Sequence, residues 1–255
     1  DSAKDGNDYT ASNATITFLA GETSKTISIP VTNDDIYENE ESMFVNLTNA
    51  TNAEIADAQG EGRIADNDTP SISVSSTEVV EGTYAVFNIQ LSNKSTEAIT
   101  FDLTPKAGSA DAVDDYKVEV EVSYDGGTTW TVATSATIAA NETSVLARVK
   151  TEDDVIDEQV ETFNLEASVT TGTTSNDKSE GTASILDTDG TPQIVISDSS
   201  VNEEDGFMTF TITLSNPSSS TVTVDYATAD DSAKDGNDYT ASNATITFLA
   251  GETSK

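Results

Sequence analysis

Aspartate and glutamate are the residues in this sequence that could do chemistry. The chain has no cysteine and no histidine, which excludes thiolate and imidazole zinc sites and Ser–His or Cys–His nucleophilic pairs. Carboxylates recur instead as short pairs: Asp34-Asp35, Asp66-x-Asp68, Asp153-Asp154 and Asp187-x-Asp189. Carboxylates within about 5 Å of one another repel unless a cation neutralises them, and calcium accepts roughly 6–8 oxygen ligands at about 2.4 Å. The pairs therefore predict calcium sites.

The overall charge excludes several classes of partner. Acidic residues number 46 and basic residues 11, for a formal net charge of −35. Such a surface repels phosphate backbones and anionic lipid, so we expect neither nucleic acid nor direct membrane contact. Acidity alone can simply keep a protein soluble. The recurrence of acidic pairs at corresponding places favours metal binding.

A repeat organises the elements that must position these acids. Asp1–Lys25 returns residue for residue as Asp231–Lys255, which predicts near-identical units and a window from a longer array. An Asp-x-Asp pair, followed closely by Thr-Pro, occurs near residues 66–70 and 187–192 and suggests module boundaries. We predict a complete module at 70–189, the C-terminal part of another at 1–68, and the N-terminal part of the next at 192–255.

The strand pattern predicts an all-β fold. Apolar and polar residues alternate in short runs such as Ala85–Leu91, Thr15–Phe18 and Thr26–Val31, and no segment has a helical period. Seven or so strands per unit indicate tandem immunoglobulin-like antiparallel β-sandwiches in an elongated array. Because alternate loops of a sandwich gather at one end, acids that are distant in sequence can converge there.

These motifs resemble a known family. The central module contains Val80-Glu81-Gly82, Asp153-Asp154-Val155-Ile156-Asp157-Glu158 and Glu161-Thr162-Phe163, and the split module contains Gly236-Asn237-Asp238-Tyr239. Together they resemble tandem Calx-β domains, as in large RTX-type bacterial surface adhesins; sodium–calcium exchangers and integrin β4 carry the same domain. The resemblance implies seven-stranded sandwiches that bind Ca2+ at the loop end facing the next module.

The resemblance also implies particular ligands. In the central module they are Glu81, Asp153, Asp154, Asp187 and Asp189, with Asp111 as a possible substitute where Thr104-Pro105-Lys106 replaces an expected aspartate. In the split module they are Glu203, Asp230, Asp34, Asp35, Asp66 and Asp68. We interpret Glu40, Glu41, Glu161 and Glu180 as solvated.

Three classes of function follow from these observations. The first is a calcium-binding extender of a secreted bacterial cell-surface adhesin, active in adhesion and biofilm formation, in which Ca2+ stiffens junctions between neighbouring modules. The alternative is a calcium-sensing regulatory module of the exchanger type. An enzyme is disfavoured, because the carboxylate pairs repeat in every module and no cleft-forming insertion appears. Finally, each part of the split module would leave unpaired strand edges, so head-to-tail self-association is expected.

Overall fold

The computed structural model describes residues 2–255, and all its regular structure except one short helical turn is β. Residues before the central module form β1 (Ile36–Tyr37), β2 (Glu41–Asn46) and β3 (Gln59–Ile64). The central module contains β4 (Ile72–Val74), β5 (Thr77–Val80), β6 (Tyr84–Leu91), β7 (Lys94–Ser95), β8 (Ile99–Ala107), β9 (Tyr116–Ser123), β10 (Thr131–Val132), β11 (Ser135–Ile138), β12 (Ser144–Thr151), β13 (Glu161–Thr171) and β14 (Lys178–Leu186). The last part contains β15 (Ile194–Ile196), a 3-10 helix (Glu203–Asp205), β16 (Ile212–Leu214), β17 (Val222–Ala227) and β18 (Asn243–Phe248).

Two five-stranded sheets make up the central module. Their strand orders are β10-β9-β12-β6-β4 and β11-β8-β13-β14-β5. All neighbours within them are antiparallel except β14 and β5, which are parallel. The predicted all-β class with antiparallel sandwich architecture is confirmed.

The core of the sandwich follows from the alternating pattern. Ala85, Phe87, Ile89 and Leu91 all point inward from β6 and are buried. From the other sheet, Phe163 stacks on Tyr116 with ring centroids 4.3 Å apart and meets Phe87 edge-on at 6.0 Å. Buried aromatic pairs of this kind stabilise the fold by more than the burial of their apolar surface alone. The core holds Tyr116 at the start of β9, beside the acidic end of the module.

The chain changes sheets between β4 and β5, and one glycine permits this crossing. A Cβ built on Gly181 would lie 2.1 Å from the carbonyl oxygen of Ser75. Only a residue without a side chain therefore lets β14 pass so close to the backbone between the two strands. The crossing lets the first strands of the module contribute to both sheets, and it places Glu81 directly after β5.

The terminal parts form smaller sheets. β2 pairs with β3, β15 with β16, and β17 with β18, each as a two-stranded antiparallel sheet. Two expected strands are absent here: within the described residues, 15–18 and 26–30 have no strand partner, and only Val31 forms an isolated bridge, with Tyr9. The alternating pattern is present in these segments, but a strand forms only where a neighbour accepts its hydrogen bonds. No helix among residues 2–255 has the length and apolarity needed to cross a membrane.

Candidate metal centre

The exit of the central module is folded around the carboxylate of Asp187. Its Oδ1 accepts a hydrogen bond from the backbone N–H of Asp189 at 3.0 Å. Its Oδ2 accepts one from the backbone N–H of Glu158 at 3.2 Å. The two bonds fix the exit loop against the acidic loop that follows β12, so residues distant in sequence meet at one end of the sandwich.

Glu81 joins the same end from β5. Its side chain is only 9% exposed, and Oε1 accepts hydrogen bonds from both the backbone N–H and the hydroxyl of Thr188, each at 2.7 Å. Asp154 is held by the N–H of Ile156, which donates to its Oδ1 at 2.7 Å. Carboxylate oxygens of Glu81, Asp154 and Asp189 lie within 4.8 Å of one another. This spacing lets a single cation contact all three.

A second acidic group adjoins the first. Oxygens of Asp115, Glu158 and Glu161 also lie within 4.8 Å of one another. Glu81, Asp154 and Asp187 line the same cavity as this second group. The module end therefore offers two adjoining groups of carboxylates along one cavity.

The electrostatics show that these acids are crowded. Burial raises the pKa of Glu158 to about 7, and the neighbouring charge of Asp115 adds to the shift. Burial raises the pKa of Glu161 to about 8, again reinforced by Asp115. Burial also raises the pKa of Asp189, with the charge of Asp187 as the next cause. Fewer negative charges are stable here than the residues could carry.

The donor set fits a hard divalent cation. All candidate ligand atoms are carboxylate oxygens, which calcium prefers. The Oδ2 atom of Asp189 is buried without a hydrogen-bond partner, an arrangement that costs free energy unless something else satisfies the oxygen. A cation would satisfy this oxygen and neutralise the crowded charges together.

Residues 2–68 repeat this arrangement. Asp66 accepts hydrogen bonds from the backbone N–H of Asp68 at 2.8 Å and of Glu38 at 3.1 Å, as Asp187 does from Asp189 and Glu158. Asp34 caps the N–H of Ile36 at 2.9 Å, as Asp154 caps Ile156. A further group, Asp8, Glu38 and Glu41, has oxygens within 4.8 Å of one another and corresponds to the second group of the central module. Residues 2–68 contain no acid that corresponds to Glu81 of the central module.

The matching hydrogen bonds fix which acids correspond. Since Asp34 and Asp154 make the same contact, Asp35 aligns with Val155 and Asp153 aligns with Asn33. Asp153 instead packs beside Gly82, where an added Cβ would lie 2.8 Å from its own Cβ. Asp35 and Asp153 thus belong to none of the groups of three acids in residues 2–255. Burial is the main cause of the raised pKa of Asp68 and of Asp189, and the charges of Asp35 and Asp153 respectively make smaller contributions.

Other expected ligands lie at or beyond the edge of these groups. Asp111 donates its backbone N–H to Asp115, and its own charge contributes to the raised pKa of Glu161. Glu203 is exposed in the 3-10 helix. Asp230 is exposed, and hydrogen bonds from the Tyr239 hydroxyl at 2.7 Å and the Asp235 N–H at 2.9 Å lower its pKa. In the described residues neither Glu203 nor Asp230 meets another group of acids.

Sequence reasoning missed several acids that the fold brings into the groups. Asp115 and Asp8 each precede a tyrosine, and this Asp-Tyr pair occurs four times in the chain, at 8–9, 115–116, 225–226 and 238–239. The recurrence is a signal that could have drawn attention to them, and two of the four aspartates lie in the acidic groups. The interpretation of Glu161 and Glu41 as solvated is wrong, because both are partly buried within acidic groups. Glu180 does lie on the surface, 3.0 Å from Lys106.

The acidic loops continue directly into contacts with the following module. β1 pairs in parallel with β7, and the N–H of Thr96 donates to the carbonyl of Tyr37 at 2.9 Å. At the next boundary Asp157 bridges Ser218, and the N–H of Ser219 donates to the carbonyl of Asp157 at 3.0 Å. The same few residues therefore build both the acidic site and the junction, at both boundaries.

Comparison with known proteins agrees with this architecture. The family model of the Calx-beta domain matches residues 1–68 and 187–255, more than half of the chain. Sodium/calcium exchanger 2 of Rattus norvegicus, Mus musculus and Homo sapiens is 46% identical over 59 residues, which is 23% of this chain and 6% of each exchanger.

Solved structures are more distantly similar. CBD12 from CALX1.2 has 17% identity and a TM-score of 0.35, over 72% of this chain and 74% of that one. The apo form of the Calx CBD1 domain has 14% identity and a TM-score of 0.34, over 47% and 99%. We base the assignment on the family model, and the chain belongs to the Calx-beta domain family.

Proposed function

We propose that this chain binds calcium at its acidic module ends and that the bound ions stiffen the junctions between modules. One observation carries the proposal: the acidic groups occur at both boundaries, in loops that also form the contact with the next module. A cation that neutralised Glu81, Asp154 and Asp189 would hold the loop from Asp154 to Glu158 in place. Because Asp157 in that loop contacts Ser218 and Ser219, the ion would also hold the neighbouring module.

The wider role that we propose is that of an extender in a secreted bacterial adhesin. The near-identical repetition of sequence supports this role, since tandem copies add length to a molecule. In this role the segment is non-catalytic and serves cell adhesion and biofilm formation at the cell surface. Its direct partners are neighbouring modules of the same kind.

A second candidate is a calcium-sensing regulatory module. The identity of 46% with sodium/calcium exchanger 2 over 59 residues favours it. A sensor must couple ion binding to a change between two shapes, whereas an extender needs one shape made stiffer. The two candidates therefore differ in how the molecule responds to calcium.

Small-angle scattering with and without calcium distinguishes the two candidates. For an extender we expect the maximum dimension to stay the same within a few per cent, with a narrower distribution of distances when calcium is added. A large change in maximum dimension on adding calcium would instead favour the sensor.

Calcium should raise the thermal stability of the protein. At a free concentration ten times its dissociation constant, each ion adds about 1.4 kcal/mol to the free energy of unfolding. In Asp187→Asn and Asp154→Asn we expect most of the calcium-dependent rise in melting temperature at the central module to disappear. Glu180→Gln is the matched control, because Glu180 lies on the surface beside Lys106. Equal melting curves of the unaltered protein in chelator and in millimolar calcium would contradict the proposal.

Without calcium, the crowding of acids should lower the stability of the folded protein as the pH rises. Since the pKa of Glu161 is about 8 in the folded protein and 4.5 by default, the folded state binds more protons between these values. The free energy of unfolding in chelator should therefore fall as the pH rises from about 5 to about 8. Glu161→Gln removes the repelling charge, so we expect higher stability than the unaltered protein at pH 8 in chelator and a smaller gain from calcium.

Urea unfolding over this pH range, with Glu180→Gln as the control, measures both effects. A Glu161→Gln protein less stable than the unaltered one in chelator at pH 8 would show that repulsion does not dominate this group.

A further inference from the structure

A Ser-Asn pair meets the linker at the start of each following module. Ser92-Asn93 comes directly after β6, and Ser215-Asn216 comes directly after β16. In both pairs the serine Oγ donates to the asparagine Oδ1 at 2.7 Å, which fixes the direction in which the side-chain amide faces. The amide nitrogen then donates to a linker carbonyl, that of Asp68 at 2.5 Å at the first boundary and that of Gly190 at 2.9 Å at the second.

The serine of each pair holds the linker at a second point. Its Oγ accepts a hydrogen bond from the backbone N–H of Ser71 at the first boundary and of Gln193 at the second, each at 2.9 Å. Its own backbone N–H donates to the carbonyl of the same linker residue, again at 2.9 Å in both cases. The pair therefore binds two linker residues that are three positions apart, and it does so at both boundaries.

A further contact lies three residues after the asparagine. The backbone N–H of Thr96 donates to the carbonyl of Tyr37 at 2.9 Å, and the Thr96 hydroxyl donates to the same oxygen at 3.1 Å. Ser219 makes the same two bonds to the carbonyl of Asp157, at 3.0 and 3.2 Å. We call residues 92–96 and 215–219 the junction motifs, because they repeat one set of bonds to the preceding module.

A buried serine fixes each junction motif in its own module. Ser95 is 1% exposed and Ser218 is 3% exposed. The carbonyl of Ser95 accepts a hydrogen bond from the N–H of Asn141 at 2.8 Å, and that of Ser218 accepts one from Gly251 at 3.0 Å. Each motif is therefore held by a turn of the module to which it belongs.

The carbonyls that both motifs bind come from residues with unlike side chains. The acidic loop supplies Tyr37 at one boundary and Asp157 at the other, and the linker supplies Asp68 and Gly190. Members of each pair have only their backbone in common. The donors are alike at both boundaries, an asparagine amide followed by the N–H and hydroxyl of a threonine or a serine. The following module thus supplies the distinctive side chains, and the preceding one supplies a backbone of suitable shape.

We propose that each junction motif is a receptor for the main chain of a preceding Calx-beta module and that it acts without calcium. Asn93 and Asn216 are the residues that set the position of the linker. Neither motif contains an acidic residue that could be a calcium ligand, and the bonds shared by both boundaries join neutral groups. Because the motif binds backbone, modules with different surface sequences can precede it in an array. This inference does not rest on the proposed binding of calcium.

Hydrogen exchange in chelator at the Thr96 amide tests the first boundary. Asn93→Asp keeps the size of the side chain but replaces the donating nitrogen with an oxygen, which a carbonyl repels. We expect exchange at Thr96 to become at least tenfold faster, while the amides of β6 and β12 in the same module exchange as in the unaltered protein. No acceleration at Thr96, or an equal acceleration in β6 and β12, would overturn the proposal, because the effect would then be absent or not local to the junction.

Asn164→Asp is the matched control for the added charge. The Oδ1 of Asn164 accepts a hydrogen bond from the Thr182 hydroxyl at 2.8 Å, and an aspartate keeps this acceptor. Exchange at Thr96 should stay within twofold of the unaltered protein. An acceleration as large as in Asn93→Asp would attribute the effect to charge and overturn the role of the amide.

The second boundary gives an independent test of the same bond. The N–H of Asp157 donates to the carbonyl of Pro217 at 2.9 Å, so its exchange reports the contact from within the central module. In Asn216→Asp we expect this amide to exchange at least tenfold faster in chelator, with β6 and β12 unchanged. Unchanged exchange at Asp157 would show that the motif does not hold the junction.

Tyr37→Asn tests whether the motif binds main chain. The substitution removes the aromatic side chain and keeps the carbonyl that Thr96 binds, so exchange at Thr96 in chelator should stay within twofold of the unaltered protein. An acceleration as large as in Asn93→Asp would overturn recognition of the backbone. All four variants are measured without calcium. Equal melting curves in chelator and in calcium would therefore refute the proposed function and leave these results unaffected.

Discussion

The carboxylate of Asp187 holds together the features on which the molecule depends. One of its oxygens fixes Asp189 and the other fixes Glu158, so it joins the exit of the module to the loop after β12. That loop then contacts Ser218 and Ser219 of the next module. The arrangement places several negative charges close together in a partly buried site. Burial and this crowding raise the pKa values of Glu158 and Glu161, because the ionised carboxylates are destabilised there. The junction and the repulsion arise from the same residues.

This coupling recurs along the chain. Asp66 repeats the contacts of Asp187, and Tyr37 meets Thr96 as Asp157 meets Ser219. Repetition of one junction gives each module the same relation to the next, as in other repeat proteins where each unit contacts only its neighbours. Under our proposal, calcium would act at every junction in the same way, so the stiffness of an array would depend on calcium concentration.

The sequence predicted those features that local patterns determine. Alternation along Ala85–Leu91 indicated the core strand, and the recurring Asp-x-Asp pairs indicated the acidic ends. It was harder to predict which acid in a run of adjacent acids would join the site. Glu152, Asp153 and Asp154 are adjacent in sequence, and only the hydrogen bond from the N–H of Ile156 shows that Asp154 corresponds to Asp34. Glu161 was missed because it begins a strand, where an acidic residue usually faces solvent. In the folded chain Glu161 is partly buried and lies beside Asp115, which is distant in sequence, and burial followed by the contact with Asp115 raises its pKa.

The strand prediction at Thr15–Phe18 could not succeed from local pattern alone. The same residues form β18 near the end of the chain, where β17 supplies hydrogen bonds and Phe248 is buried. Near the start they have the same propensity but no such neighbour. The two copies have the same intrinsic preference for a strand, so the difference between them comes from whether a neighbouring strand is present.

Hydrogen exchange at individual backbone amides tests most directly whether calcium at the acidic end holds the junction. The informative amides are those of Glu158 and Asp189, which donate to Asp187, and that of Ser219, which donates across the junction to Asp157. Our account predicts that calcium slows exchange at all three, and that Asp187→Asn removes the effect at Ser219 although the N–H of Ser219 donates to Asp157 and not to Asp187. Slowing at Glu158 and Asp189 with no change at Ser219 would contradict the account, because ion binding would then be separate from the junction.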